Sequence, residues 1–125
     1  MEKKKILVID DEKNFGEMVK MNLEDTGRYT VKIETKGIKA LDTVKEFRPD
    51  LILLDVVMPD IDGGSICHQI KSDEELKDIP IVFLTAIVRE EEIAPYNGII
   101  AGHPFIAKPV TVEKLIDCIE KNLKK

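Results

Sequence analysis

Three runs of four apolar residues, Ile6-Leu7-Val8-Ile9, Leu51-Ile52-Leu53-Leu54 and Ile81-Val82-Phe83-Leu84, are each closed by a polar residue: Asp10, Asp55 and Thr85. A run that short and unbroken has no polar face to turn to water, as expected of a strand covered on both sides in a parallel sheet. A fourth segment, Tyr29 to Thr35, alternates Tyr29, Val31 and Ile33 with polar residues and suits a more exposed edge strand. Phe105-Ile106-Ala107 reads as a short fifth strand.

Between these runs the apolar residues return at helical spacing. Phe15, Met18, Val19, Asn22 and Leu23 mark one face of a first helix; Ile38, Leu41, Val44 and Lys45 mark a second; Ile66, Cys67 and Ile70 mark a shorter third. Val112, Leu115, Ile116, Ile119 and Leu123 mark the last, with Thr111 as N-cap, Glu113 in the first turn and Lys124-Lys125 at the carboxyl end. From Ile87 to Pro104 the pattern is weakest: Arg89 to Ile93 suits a short helix, but Pro95, Gly98, Gly102 and Pro104 break it. Strand and helix alternate through five rounds, which calls for an α/β fold, a doubly wound five-stranded parallel sheet with right-handed crossovers and helices on both faces. No linker, repeat or low-complexity tract divides the 125 residues, so residues 1–125 read as one domain.

Composition narrows the function classes. Nineteen basic and 24 acidic side chains give a net charge of −5, which argues against direct nucleic-acid binding. No apolar run approaches the roughly 20 residues that cross a bilayer, and Met1-Glu2-Lys3-Lys4-Lys5 leads into too short an apolar stretch for a signal peptide. Cys67 and Cys118 lack metal-ligand spacing and a disulfide framework. They read as buried thiols in a reducing cytoplasm.

Asp10 and Asp11 directly follow the first run, and Asp55 directly follows the third strand. In an open α/β sheet, ligands bind beyond the carboxyl ends of the strands, where the strand order reverses. In the order 2-1-3-4-5 the first and third strands are neighbours and their acids meet at that crevice. Two carboxylates about 5 Å apart at an effective dielectric near 20 repel by roughly 3 kcal/mol, and three by roughly 10 kcal/mol before compensation. A hard divalent cation is the common remedy, and an all-oxygen set suits Mg²⁺. Thr85 and Lys108 fall at the ends of the fourth and fifth strands, so a hydroxyl and an ammonium join the acids on one sheet edge. For Asp11 or Glu12 alone, capping of the following helix is the simpler reading.

These residues carry a resemblance to the receiver domain of two-component response regulators, of the chemotaxis-regulator kind. The matching motifs are Asp10-Asp11 in ILVIDDE, Asp55 in LILLDVVMPDIDG, Thr85-Ala86 in IVFLTA and Lys108-Pro109 in FIAKPV, and they span nearly the whole chain. The resemblance implies the flavodoxin-like sheet order 2-1-3-4-5. It implies that Asp55 is the phosphoacceptor, that Asp10, Asp11, Asp55 and the backbone carbonyl of Val57 hold Mg²⁺, and that Lys108 contacts the phosphoryl group. Thr85 would bind a phosphoryl oxygen and Phe105 would be the aromatic partner of the switch, acting on the face of the fourth helix, fifth strand and fifth helix. The implied role is phosphorelay signalling rather than turnover of a substrate. The implied partners are a sensor histidine kinase or histidine phosphotransfer protein as donor and a downstream effector or fused output domain as reader; homodimerisation on phosphorylation stays open.

Some residues depart from the family pattern. Val57 and Ile87 are apolar at positions two beyond Asp55 and Thr85, an arrangement expected to hinder the water that would hydrolyse an acyl phosphate. Ala101-Gly102-His103-Pro104 replaces the usual run before the fifth strand, and Pro95 interrupts the fourth helix. Three other readings stay in view. Asp60-Ile61-Asp62-Gly63-Gly64 suggests a phosphatase of the haloacid dehalogenase type, although Asp60 does not directly follow a strand. A flavin module shares the fold, but Asp10-Asp11-Glu12 would repel its phosphate. A binding module that signals without phosphorylation would keep the fold and use the acids as caps.

Overall fold

In the computed structural model the described residues are 3–56, 58–85, 99–100, 103–108 and 111–123. Strand β1 (Lys4–Ile9) leads into helix α1 (Lys13–Asp25), then β2 (Tyr29–Glu34), a 3-10 turn (Gly37–Lys39) and α2 (Ala40–Phe47). There follow β3 (Leu51–Asp55), α3 (Gly63–Lys71), β4 (Ile81–Thr85), a two-residue strand β5 (Ile99–Ile100), β6 (His103–Ala107) and α4 (Val112–Asn122). The sheet runs β2-β1-β3-β4-β6-β5. Its first five strands are mutually parallel, the order expected from the sequence, and β5 adds an antiparallel edge to β6 that the sequence pattern did not suggest. The expected broken helix between residues 87 and 104 falls mainly outside the described residues.

The unbroken apolar runs are explained by a core on both sheet faces. Successive side chains of a strand point to opposite faces, so Leu7, Ile9, Ile52, Leu54 and Phe83 pack with Val44, Ile66 and Ile70 of α2 and α3. Ile6, Val8, Leu51, Leu53, Val82 and Leu84 pack with Val19, Leu23, Leu115 and Ile119 of α1 and α4. In β2, Tyr29 and Val31 are buried while Thr30 and Lys32 are exposed, which fits the alternation of an edge strand.

The second helix differs from the expected face. Ile38 is 69% exposed because it lies in the 3-10 turn, and Lys45 is exposed too. The helix proper begins at Ala40 and buries Ala40, Thr43 and Val44, an i, i+3, i+4 set. It ends at Arg48, whose φ of 54° is the left-handed turn that closes many helices. The last helix matches its expected face, and Thr111 caps it by accepting a hydrogen bond from the Lys114 N–H at 3.2 Å.

Candidate functional site

The ends of β1, β3 and β6 at the carboxyl edge are each fastened to a neighbouring strand by the next backbone N–H. Asp10 N donates to Glu34 O at 3.0 Å, Val56 N to Leu84 O at 3.0 Å, and Lys108 N to Thr85 O at 2.8 Å. The residues at the strand ends are therefore held in place by the ladder itself. Glycine completes the frame after β3: Gly63 N donates to Val56 O at 2.8 Å, and a Cβ at Gly63 would stand 2.3 Å from Asp55 O. Asp62 caps α3 by accepting hydrogen bonds from the N–H and hydroxyl of Ser65 at 2.8 and 3.0 Å.

This frame brings Asp10, Asp11 and Asp55 together: one carboxylate oxygen from each lies within 4.8 Å of the others. Asp10 and Asp55 are buried and Asp11 is exposed, so the cluster is open on one side. Asp10 Oδ1 accepts the Glu12 N–H at 2.9 Å. Its buried Oδ2 has the Lys108 ammonium at 2.6 Å, a close ion-pair contact. Three carboxylates converging at one open side, two of them buried, fit a hard divalent cation, which needs oxygen ligands and tolerates water on an open side. The donor set therefore suits Mg²⁺. The backbone carbonyl of Val57, expected as a further ligand, lies outside the described residues, as do Ile87 and Pro109.

Lys108, only 9% exposed, reaches Glu12 Oε1 at 2.9 Å and Asp55 Oδ2 at 3.9 Å. Its ammonium also stands 4.4 Å from the centre of the Phe15 ring, a cation–π contact. Burial alone would lower its pKa; the contacts with Asp10 and Glu12 and the fields of Asp10 and Asp55 outweigh that, and the net shift is upward. Thr85 is buried at the end of β4, directly opposite Ala107 on β6. Phe105 stacks on Phe83 with ring centres 4.9 Å apart, and the His103 and Phe83 rings meet nearly at right angles with centres 5.5 Å apart.

Glu12 is a residue whose part in this site the sequence reading missed. It occupies the N-cap position of α1, yet its carboxylate makes no cap hydrogen bond and turns instead to Lys108. Phe15 likewise contributes to the Lys108 environment as well as to the core. The acids of the rival phosphatase reading have local duties instead. Asp60 Oδ2 accepts the Ile38 N–H at 3.0 Å, which lowers its pKa, and Asp62 is the α3 cap.

A family model described as the response regulator receiver domain matches residues 6–120. The chain belongs to that family. Among relatives, it is 34% identical over 113 residues to the DNA-binding dual master transcriptional regulator RpaA of Synechocystis, covering 90% of this chain and 46% of RpaA. It is 36% identical over 113 residues to the response regulator MprA of a Mycobacterium species, covering 90% of this chain and 47% of MprA. The receiver domain thus spans about half the length of these curated relatives. Among solved structures, the Vibrio cholerae chemotaxis protein CheY4 superposes with a TM-score of 0.82 at 27% identity, over 98% of this chain and all of that one. The flavodoxin-like sheet is therefore that of a receiver domain in two-component signalling.

Proposed function

We propose that Asp55 accepts a phosphoryl group from a histidine kinase or histidine phosphotransfer protein in a Mg²⁺-dependent reaction, and that residues 1–125 form the receiver unit of a phosphorelay. The observation that carries this reading is the meeting of Asp10, Asp11 and Asp55 within 4.8 Å at the sheet edge, with the Lys108 ammonium among them.

An Asp55 oxygen attacks phosphorus; the new O–P bond forms as the bond to the donor breaks, and the donor leaves with that electron pair. Phosphoryl transfer asks the protein for position and positive charge more than for covalent help. Asp10, Asp11 and Asp55, with the Val57 carbonyl, would hold Mg²⁺, which when bound supplies charge to the phosphoryl oxygens. Lys108 offers a second cation and Thr85 a hydroxyl donor. The chain modifies itself and turns over no other substrate.

A phosphoryl group adds about −1.5 to −2 charges and three acceptor oxygens. When the Thr85 hydroxyl turns to meet them, Phe105 leaves its stacking on Phe83 and packs toward the space vacated, shifting the population of the face that ends the sheet. The reader would be a downstream effector or an output domain in a longer chain, in the cytoplasm. RpaA is described as DNA-binding; the receiver unit here, with net charge −5, would act on such an output rather than on DNA itself.

Incubation with Mg²⁺ and a small phosphodonor, followed by mapping of the modified residue, tests this. Modification at Asp55 that is lost in Asp55→Asn with the fold retained supports the phosphoacceptor reading. No modification with several donors would favour a module that signals by binding alone.

A further inference from the structure

The Lys108 ammonium is held by Asp10, at 2.6 Å, and by Glu12. Its nitrogen lies 2.9 Å from Glu12 Oε1 and 3.9 Å from Asp55 Oδ2, although Asp55 is the buried acid and Glu12 is 62% exposed. Glu12 can reach because it sits one residue beyond Asp11, at the start of α1, and its carboxylate is not engaged in capping. Phe15, one helical turn further along, places its ring 4.4 Å below the same ammonium. Asp10, Glu12 and the Phe15 ring thus form a seat for the cation that lies to one side of Asp55.

We propose that Glu12 is a positioning residue that ties Lys108 away from Asp55 and competes with the phosphoryl group for its ammonium. The competition rests on Asp55 being the phosphoacceptor; the tie itself does not. A phosphoryl oxygen on Asp55 would take a charge-assisted hydrogen bond, at about 2.7–2.9 Å, from the same ammonium that Glu12 already holds at 2.9 Å. Sharing the cation with Glu12 weakens what the phosphoryl group gains from it. Both the rate of phosphorylation and the hold on the product are then set partly by the strength of this tie.

Two variants separate a tie from a general field. Glu12→Gln removes the charge. Glu12→Asp keeps it, but the side chain is shorter by one carbon–carbon bond, about 1.5 Å, and falls out of contact with Lys108. The tie is read first without metal or donor, from the exchange of the Lys108 ammonium protons with water by NMR. Competition is read second, from affinity for beryllofluoride, a tetrahedral phosphoryl mimic, at saturating Mg²⁺, and from the rate of phosphorylation by a small donor.

Both variants are expected to exchange the ammonium protons at least threefold faster than the wild type. Both are expected to bind beryllofluoride and accept phosphoryl about three- to fivefold better, the size of an ion pair with one exposed partner. Unchanged exchange in both variants overturns the tie. If Glu12→Asp keeps wild-type exchange and affinity while Glu12→Gln does not, Glu12 acts only through its charge and the proposal fails. If exchange quickens in both but the wild type neither binds the mimic nor takes phosphoryl, the phosphoacceptor reading has failed, and the competition with it. If the wild type does both and neither variant differs from it, the competition alone is overturned.

Discussion

Lys108 Nζ stands 2.6 Å from Asp10 Oδ2 and 3.9 Å from Asp55 Oδ2, so the ammonium at the sheet edge favours the acid after β1 over the acid that ends β3. Among the described residues it is this ammonium that stands against the close carboxylates. Removing one partner of a buried pair leaves the other uncompensated, which costs about 3–5 kcal/mol when both are fully buried. Asp11 and Glu12 are open to water, which screens part of that. Lys108→Met is therefore expected to destabilise the metal-free protein by about 2–3 kcal/mol, read by urea unfolding at pH 7. The Lys108 pKa is raised in the fold, so this contribution is complete below the ordinary lysine value and fades as pH climbs through the higher folded one. The gap between wild type and variant should close at strongly alkaline pH; an unchanged midpoint at pH 7 would contradict the ion pair's role.

The same repulsion predicts a metal response. A cation that binds only the folded state stabilises it by RT ln(1 + [L]/Kd), about 1.4 kcal/mol at tenfold excess over Kd. Mg²⁺ is expected to raise the thermal midpoint of the wild type, and a chelator to reverse the gain. Asp10→Asn replaces a fully buried carboxylate of the three that converge, and should lose most of the increment. An equal rise in the variant, measured by calorimetry across a magnesium series, would place the cation elsewhere.

The strands and the acids at their ends were legible because both are local statements. Four apolar residues in a row can only be buried on both faces, and Asp10, Asp55 and Thr85 stand directly after such runs, where the ladder fixes them. Contacts made by distant parts of the chain left no local mark. Glu12 and Lys108 are 96 residues apart, and the N-cap position of Glu12 offered a nearer explanation of its charge. Leu76 is fully buried in a turn stretch with no periodicity to announce it, held there by the Lys71 ammonium, which donates to the carbonyls of Lys77 and Ile79 at 3.0 Å each. Ile38 carried helical spacing but precedes the helix, since spacing alone does not say where the first turn tightens into 3-10 form.

Two glycines separate backbone crowding from side-chain crowding. A Cβ at Gly63 would meet Asp55 O at 2.3 Å and Val56 Cα at 2.9 Å, both backbone atoms of the strand end that presents Asp55. Neither can yield without moving the carboxylate. A Cβ at Gly16 would meet Ile33 Cγ2 at 2.9 Å, the movable end of a side chain. Gly63→Ala is expected to cost about 2–3 kcal/mol, the upper part of the overpacking range, and to weaken Mg²⁺ binding. Gly16→Ala should cost under about 1 kcal/mol, because alanine also favours the helix, and leave Mg²⁺ binding unchanged. Denaturation midpoints and magnesium titrations of the two variants check the contrast.

At the opposite end of the sheet, the Tyr29 hydroxyl donates a short hydrogen bond to Glu120 Oε2, joining the start of β2 to α4. Burial of the phenol, with the Glu120 hydrogen bond and its negative charge adding to it, pushes the Tyr29 pKa up to about 12. The fold therefore prefers the neutral phenol. That preference is fully present below the ordinary tyrosine pKa near 10 and is lost as pH rises through about 12. Wild-type stability should fall across this window. Tyr29→Phe has no proton to lose there, so its slope should be flatter, and at pH 7 it should be weaker by about 1 kcal/mol for the missing hydrogen bond. Glu120→Gln removes the charge but keeps an acceptor, so phenolate absorbance should show Tyr29 ionising at lower pH than in the wild type. A Tyr29 titration that does not move in Glu120→Gln would mean burial alone sets the shift, and that the link to α4 contributes nothing to it.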